Sequence, residues 1–320
     1  MALFIYPDKF TVCLFVLIIS LSKESLQQNT MLTKDKTFKL NTGDAIPAVG
    51  FGTYQVQGTE LVKNVIDLAL ASGYRLIDTA ALYKNEEDIG KALKELLPKY
   101  NLTRKDIFIT TKLYPYNQGQ TAYKSLQQSL RYLDCDYIDL YLIHWPGVLG
   151  ANLTTSQLKK SRDDGWQQLI KGKKDGLTRN IGVSNYNIGH LTELLENDHG
   201  FKPSVNQVEF HPKYHSDELL NFCRKEGILL QAYSSLGGTN NKDLLGDLEV
   251  KKIAQKLKRT PAQVLLRWAL QQNIAVIPKA RSKKYIEENI DLNFNIPEAD
   301  MSTLNNFKRV QYSWNPDTIA

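Results

Sequence analysis

Four side chains able to hold or move a proton fall at, or just past, the ends of short apolar runs: Asp78 after Leu76-Ile77, Tyr83 on the loop that follows, Lys112 after the run from Ile107, and His144 after the run from Ile138. Brought into one cleft, they would make a proton-donor assembly. A free tyrosine, with a pKa of about 10, is a poor donor at neutral pH. A lysine ammonium beside it would stabilise the phenolate and lower that value, and an aspartate would hold the lysine in place and charged. A histidine there could hydrogen-bond and orient a substrate carbonyl. Taken singly, each residue has a plainer account: Asp78 and Lys112 as a structural ion pair, His144 as a satisfied core histidine, Tyr83 as a packing group. Their common position at run ends favours the chemical account. These run ends carry no nucleophilic Ser or Cys and only a thin set of metal ligands, so acyl transfer and metal-assisted hydrolysis fall down the list.

The elements that must position these groups are regular from about Thr37 onward. A hairpin is expected from Phe38 to Leu40 and from Ile46 to Val49, around Asn41-Thr42-Gly43-Asp44. Eight short apolar runs follow, near Val49 to Tyr54, Leu76 to Asp78, Ile107 to Lys112, Ile138 to His144, Ile181 to Asn185, Val205 to Phe210, Leu229 to Ser234 and Ala275 to Lys279. Between them lie segments of helical period, such as Val62, Val65, Ile66 and Ala69, or Ala122, Leu126, Leu130 and Leu133. Asn85 followed by Glu86, Glu87 and Asp88 reads as a helix cap with acids in the first turn.

Runs such as Leu140-Tyr141-Leu142-Ile143 are apolar without alternation, as parallel strands buried on both faces require. Eight strand-helix units without a linker predict a single (β/α)8 TIM barrel over 37–320, preceded by a β-hairpin, and such barrels build their sites at the C-terminal ends of strands. The runner-up, a doubly wound sheet, lacks its phosphate fingerprint, because Gln55 stands where the third glycine after Gly50-Phe51-Gly52 would fall.

Composition sets wider bounds. The 320 residues are 42% hydrophobic and 23% charged, enough for one large core, and the net charge of +6 carries no dense basic block. That balance suits an anionic small molecule and does not call for nucleic acid. Cys13, Cys135 and Cys223 are widely spaced, against a disulfide framework or a zinc site. Residues 1–22, with Lys9 ahead of the apolar run Phe10 to Leu21, read as a signal peptide cut after Ser22, followed by a linker over 23–36. An uncleaved anchor, or a cytoplasmic protein starting at Met31, are the competing readings. Entry into the secretory pathway would make Asn101-Leu102-Thr103 and Asn152-Leu153-Thr154 glycosylation acceptors, with the endoplasmic reticulum lumen or the exterior as the destination.

From Thr37 to the C-terminus the chain resembles the aldo-keto reductase family of (β/α)8 carbonyl reductases. The resemblance rests on Gly73 to Glu86, on Leu133 to Pro146, on Ile277-Pro278-Lys279 with Glu288-Asn289, and on the blocks Ile181 to Asn185 and Asn206 to Pro212. It is similar to the short-loop members, the diketogulonate, methylglyoxal and prostaglandin F-type reductases. The resemblance implies Tyr83 as proton donor, Lys112 as its partner, Asp78 paired to Lys112, and His144, rather than the glutamate of steroid double-bond reductases, orienting a carbonyl. It implies a nicotinamide carboxamide held by Ser184, Asn185 and Gln207, a ring stacked on Tyr233, and Thr53, Asp78, Ser234 and Leu236 near the dinucleotide.

Lys279 would face a 2'-phosphate, with Arg281 also at the cofactor site, and Glu288 with Asn289 the adenine. Many members have a Ser after the Lys and an Arg six residues beyond it, where this chain has Ala280 and Tyr285. Arg281, Lys283 and Lys284 keep the region cationic, which implies NADPH with modest selectivity, NADH being the alternative. Tyr54, Tyr83, Tyr114, His144 and Trp145 would wall the substrate site, and short loops, including the tail after Val310, imply an open pocket for small or apolar aldehydes and ketones. A monomer binding a small carbonyl compound, with no membrane span in the mature form and no metal, is the expected state. The other functional class open to such a barrel is a cofactor-binding channel-auxiliary subunit with little turnover.

Overall fold

The computed structural model describes residues 33–148, 152–238 and 243–319, so the expected leader and the alternative start at Met31 lie outside the described residues. Two antiparallel strands open the fold, β1 (Thr37–Lys39) and β2 (Ala45–Pro47), with Phe38 opposite Ile46. A sheet of eight parallel strands follows in sequence order: β3 (Phe51–Gly52), β4 (Leu76–Asp78), β5 (Phe108–Leu113), β6 (Ile138–Ile143), β7 (Thr178–Ser184), β8 (Val205–Glu209), β9 (Leu229–Tyr233) and β10 (Ala275–Val276). The sheet curls until its ends meet. Val49 and Val276 form a parallel bridge, the Gly50 amide donates to the Val276 carbonyl at 2.8 Å, and the Gly52 amide donates to the Pro278 carbonyl at 3.0 Å. At this seam a Cβ on Gly52 would stand 2.6 Å from the Ile277 carbonyl oxygen, so only glycine allows the closure.

The expected (β/α)8 barrel is therefore present, with differences at run ends. The first and last runs give only two paired residues each, because Pro278 has no N–H with which to continue the ladder. The fifth strand begins at Thr178, earlier than its apolar run, since Thr178 and Asn180 are polar yet buried. The Asn180 side chain donates to Asp44 at 2.9 Å and to the Asp139 carbonyl at 3.0 Å, tying the hairpin turn to the barrel floor.

Strand periodicity then sorts the interior. Leu76, Phe108, Leu140, Leu142, Val205 and Ile277 point inward and pack with Leu40 and Ile46 of the hairpin, which seals the N-terminal end. Ile77, Ile109, Tyr141, Ile143, Ile181 and Val183 point outward, into a larger core shared with the surrounding helices. On the same face come Asp78, His144 and Gln207, each two residues beyond an inward apolar residue, and Lys112, four beyond Phe108 with Thr110 between. The floor of the barrel is thus apolar and its C-terminal rim polar, from one alternation. No helix among the described residues is long and apolar enough to cross a membrane.

Candidate active site at the barrel rim

Lys112 is the centre of the rim network. Its Nζ, fully buried, donates to Asp78 Oδ1 at 2.6 Å and to the Thr79 carbonyl at 2.9 Å, and stands 3.4 Å from the Tyr83 hydroxyl. The other Asp78 oxygen accepts from Gln207 Nε2 at 2.8 Å, and that amide also donates to Gln231 Oε1 at 2.8 Å. Burial alone pushes Asp78 up and Lys112 down, and their mutual hydrogen bond and opposite charges resist both shifts. With its donors and acceptors met in this way, the pair is held as an ion pair.

The sequence leads one to expect a lowered Tyr83 phenol, and the structure corrects this. Burial raises its pKa well above the ordinary value, and the charges of Asp78 and Tyr54 add to the rise. Desolvation, the largest of these causes, decides the direction. Tyr83 is accordingly an intact acid, with a cation 3.4 Å from its oxygen to receive negative charge if it gives up its proton. His144 stands edge-on to it, ring centroids 5.8 Å apart, and burial and then the Lys112 charge lower the imidazole pKa to about 3. It is neutral, and its buried Nδ1 has no hydrogen-bond partner among the described residues.

The loop carrying Tyr83 is fixed by a residue whose expected role is different. Asn85 does precede the helix Glu86–Lys99, but its side chain makes no cap. Instead Nδ2 donates to the carbonyls of Thr53 at 3.0 Å and Val56 at 2.8 Å, while Oδ1 accepts from the Thr79 hydroxyl at 2.6 Å. The amide is buried among loops that need its bonds, which outweighs the capping preference. Glu86 also turns inward and accepts from the Thr111 hydroxyl at 2.6 Å, its carboxyl raised by burial.

Beside the proton-donor set lies a chain of amides. Asn185, at a left-handed φ of 64°, donates to the His144 carbonyl at 3.0 Å and to Ser184 Oγ at 3.1 Å, and accepts from the Tyr233 hydroxyl at 2.7 Å. Ser184 donates to the Gln207 carbonyl at 2.8 Å. Among the described residues Gln207 Oε1 receives no donor, leaving an acceptor for an external N–H. Thr53 donates to the Asp78 carbonyl at 2.9 Å. Ser234, with φ of 51°, and Leu236 follow Tyr233, both half-buried.

Lys279 is half-buried without a side-chain partner among the described residues, and burial and then the neighbouring Arg281 charge lower its pKa. Arg281 is exposed and donates to the Gln55 carbonyl at 2.6 Å. Two neighbouring cations, one without an acidic partner among the described residues, suit an anionic group. Glu288 faces Lys284 at 3.8 Å and Asn289 is buried on the same helix, Lys283–Ile290, with no hydrogen bond joining either to the other rim residues.

The aromatic wall is partly as expected. Tyr54 lies against Tyr83 at 5.1 Å between centroids, and Tyr114 stacks on Tyr116 at 5.4 Å. Trp145, however, meets Trp314 of the C-terminal segment edge-on at 6.2 Å, so the tail crosses the rim and does not leave it open on that side. Trp314, Thr79, Gln231 and Glu86 are the residues missed by the sequence reading. Only Glu86 had a signal there, as an acid beside Asn85. Among the described residues no group of three or more His, Cys, Asp or Glu side chains could hold a metal ion. The expected acceptors Asn101 and Asn152 are both exposed, and the threonines of both sequons head short or long helices through capping boxes with Asp106 and Gln157.

Residues 48–309 match the model of the aldo/keto reductase family. A glyoxal reductase of Bacillus subtilis is 40% identical over 288 residues, covering 88% of this chain and 97% of its own length. The glycerol 2-dehydrogenase (NADP(+)) of Saccharomyces cerevisiae is 36% identical, with 90% and 97% covered. Among solved structures, an aldo-keto reductase of Bombyx mori in complex with NADP superposes with a TM-score of 0.79 at 31% identity, over 88% of this chain and 96% of that one. On the fold, the rim and these matches together, the chain is an oxidoreductase and belongs to the aldo/keto reductase family.

Proposed function

We propose that this chain reduces small and apolar aldehydes and ketones to alcohols, with NADPH as its hydride source and Tyr83 as the proton donor. The observation that carries the reading is the half-buried Tyr83 against the buried Lys112–Asp78 pair: a phenol kept protonated, 3.4 Å from an ammonium that a carboxylate holds at 2.6 Å. A bound reduced nicotinamide dinucleotide supplies the hydride. The free Gln207 acceptor, with Asn185 and Ser184 alongside, fits its carboxamide, and the unpaired Lys279 with Arg281 fits the 2'-phosphate that distinguishes NADPH from NADH. The relatives named for NADP point the same way.

Neutral His144 and protonated Tyr83 bracket the position of a substrate oxygen. As that oxygen gains charge, Tyr83 passes its proton to it and Lys112 stabilises the phenolate left behind. The product is neutral, and bulk water then restores the phenol. Tyr54, Tyr114 and Trp145 offer apolar ring surface to the rest of the substrate. Oxidation of NADPH on addition of methylglyoxal or 4-nitrobenzaldehyde, followed at the nicotinamide absorbance, tests the reading; tight NADPH binding without turnover of either aldehyde would overturn it.

A further inference from the structure

Glu209 ends β8 on the inner face, two residues past Gln207, and is only 5% exposed, yet it bonds to none of Asp78, Tyr83, Lys112 and His144. Its carboxylate collects three N–H groups. Oε1 accepts from the Tyr312 amide at 2.7 Å and from His211 Nε2 at 3.0 Å, and Oε2 accepts from the Ser313 amide at 3.0 Å. Two consecutive backbone donors of the C-terminal segment, more than 100 residues away in sequence, thus end on one buried carboxylate. Such charge-assisted bonds are stronger than neutral ones.

Around this point the fit is close. The His211 ring lies against Tyr312 with centroids 4.9 Å apart, and the Val310 amide donates to the Lys213 carbonyl at 2.7 Å. Beyond it the tail runs along the rim. Trp314 meets Trp145 edge-on while remaining 70% exposed. Asp317 accepts from Asn187 at 2.9 Å, and the Ile319 carbonyl contacts His190 Nε2 at 3.1 Å. From Glu209 to Ile319, the tail's attachments run from the end of β8 past Trp145 to Asn187 and His190, beyond the end of β7.

We propose that Glu209 is a positioning residue for specificity: by fastening segment 310–319 across the rim it sets Trp314 against Trp145, and so favours carbonyl substrates with a large apolar group over two- and three-carbon ones. The proposal rests on the carbonyl-reductase reading above. In the Glu209→Gln variant one oxygen becomes an NH2 that cannot accept from a backbone amide, so a tail bond is lost without loss of volume.

The full-length variant is compared with wild type in two ways. Trypsin cleavage after Lys308 and Arg309 is expected to be about tenfold faster in the variant, a shift of about 1.4 kcal/mol in the opening of the tail. In turnover, KM for 4-nitrobenzaldehyde is expected to rise about fivefold or more with kcat retained, while both constants for methylglyoxal stay near wild type. A chain ending at Arg309 keeps Glu209 and is expected to show the same split between aldehydes, which decides the matter if Glu209→Gln does not fold. Equal trypsin rates, an equal loss for both aldehydes, or a truncated chain with the wild-type KM for 4-nitrobenzaldehyde would overturn the proposal. If wild type reduced neither aldehyde, the functional reading would fail, and the trypsin comparison would still decide whether Glu209 fastens the tail.

Discussion

Lys112 and Asp78 pair at 2.6 Å with 0% and 2% of their side chains exposed, and this pair joins the second and third strands of the barrel exactly where the proton donor arrives from the loop between them. Removing one partner leaves a bare charge in the barrel. Asp78→Asn and Lys112→Met are each expected to lose about 3–5 kcal/mol of stability, and the double variant less than the sum, because no charge is then stranded. Urea denaturation of the four proteins checks this; additive losses would show that the two groups do not act as a pair.

Asn85 offers a test of how the Tyr83 loop is held. Its three buried bonds reach Thr53, Val56 and Thr79, so Asn85→Ala strands two carbonyls and a hydroxyl and is expected to cost about 2 kcal/mol or more. A cap role alone, whose side-chain bond the structure lacks, would predict about 1 kcal/mol and full recovery with Ser or Asp at that position. Thermal melts of the Ala, Ser and Asp variants separate the two.

His144 gives a pH signature. Its imidazole has a pKa of about 3 in the folded chain against 6.5 for an unperturbed histidine, so below pH 6.5 the unfolded state binds the extra proton. The stabilising preference for neutral His144 is present above pH 6.5 and is lost as pH falls toward about 3. Melting temperatures of wild type and His144→Gln at pH 7.5 and pH 5 are expected to draw together at the lower pH. A gap that stays constant would contradict a buried neutral imidazole.

For the cofactor, Lys279→Ala and Arg281→Gln are each expected to raise the Kd of NADPH about tenfold, the value of one charge-assisted phosphate bond of about 1.4 kcal/mol, and to leave NADH nearly unchanged. Protein fluorescence quenching measures both constants. Wild type, with Ala280 and Tyr285 where further phosphate contacts would stand, is expected to prefer NADPH only modestly.

The barrel and the groups at its rim were legible because both follow from a two-residue strand period: the inward apolar residues that mark a strand also aim its last polar residue at the site. Asp78, Lys112 and His144 could therefore be read from run ends, while Gln207, inside its run, entered through the resemblance alone. Three kinds of information were not in the pattern. Asn85 was read by local preference, whereas distant backbone carbonyls claim its amide. The direction of the Tyr83 shift depends on burial and then on the Asp78 charge, which spacing cannot express. Trp314 and the tail approach the rim through Glu209, a contact between segments a hundred residues apart that leaves no periodic trace.

The central claim is that the Tyr83 hydroxyl supplies the proton, and Tyr83→Phe removes that oxygen alone while leaving Lys112, Asp78 and the amides that would hold the cofactor. Reduction of 4-nitrobenzaldehyde by NADPH is expected to slow by about 10²–10⁴-fold in kcat, with the Kd of NADPH within error of wild type. Equal turnover by the two proteins would contradict the account.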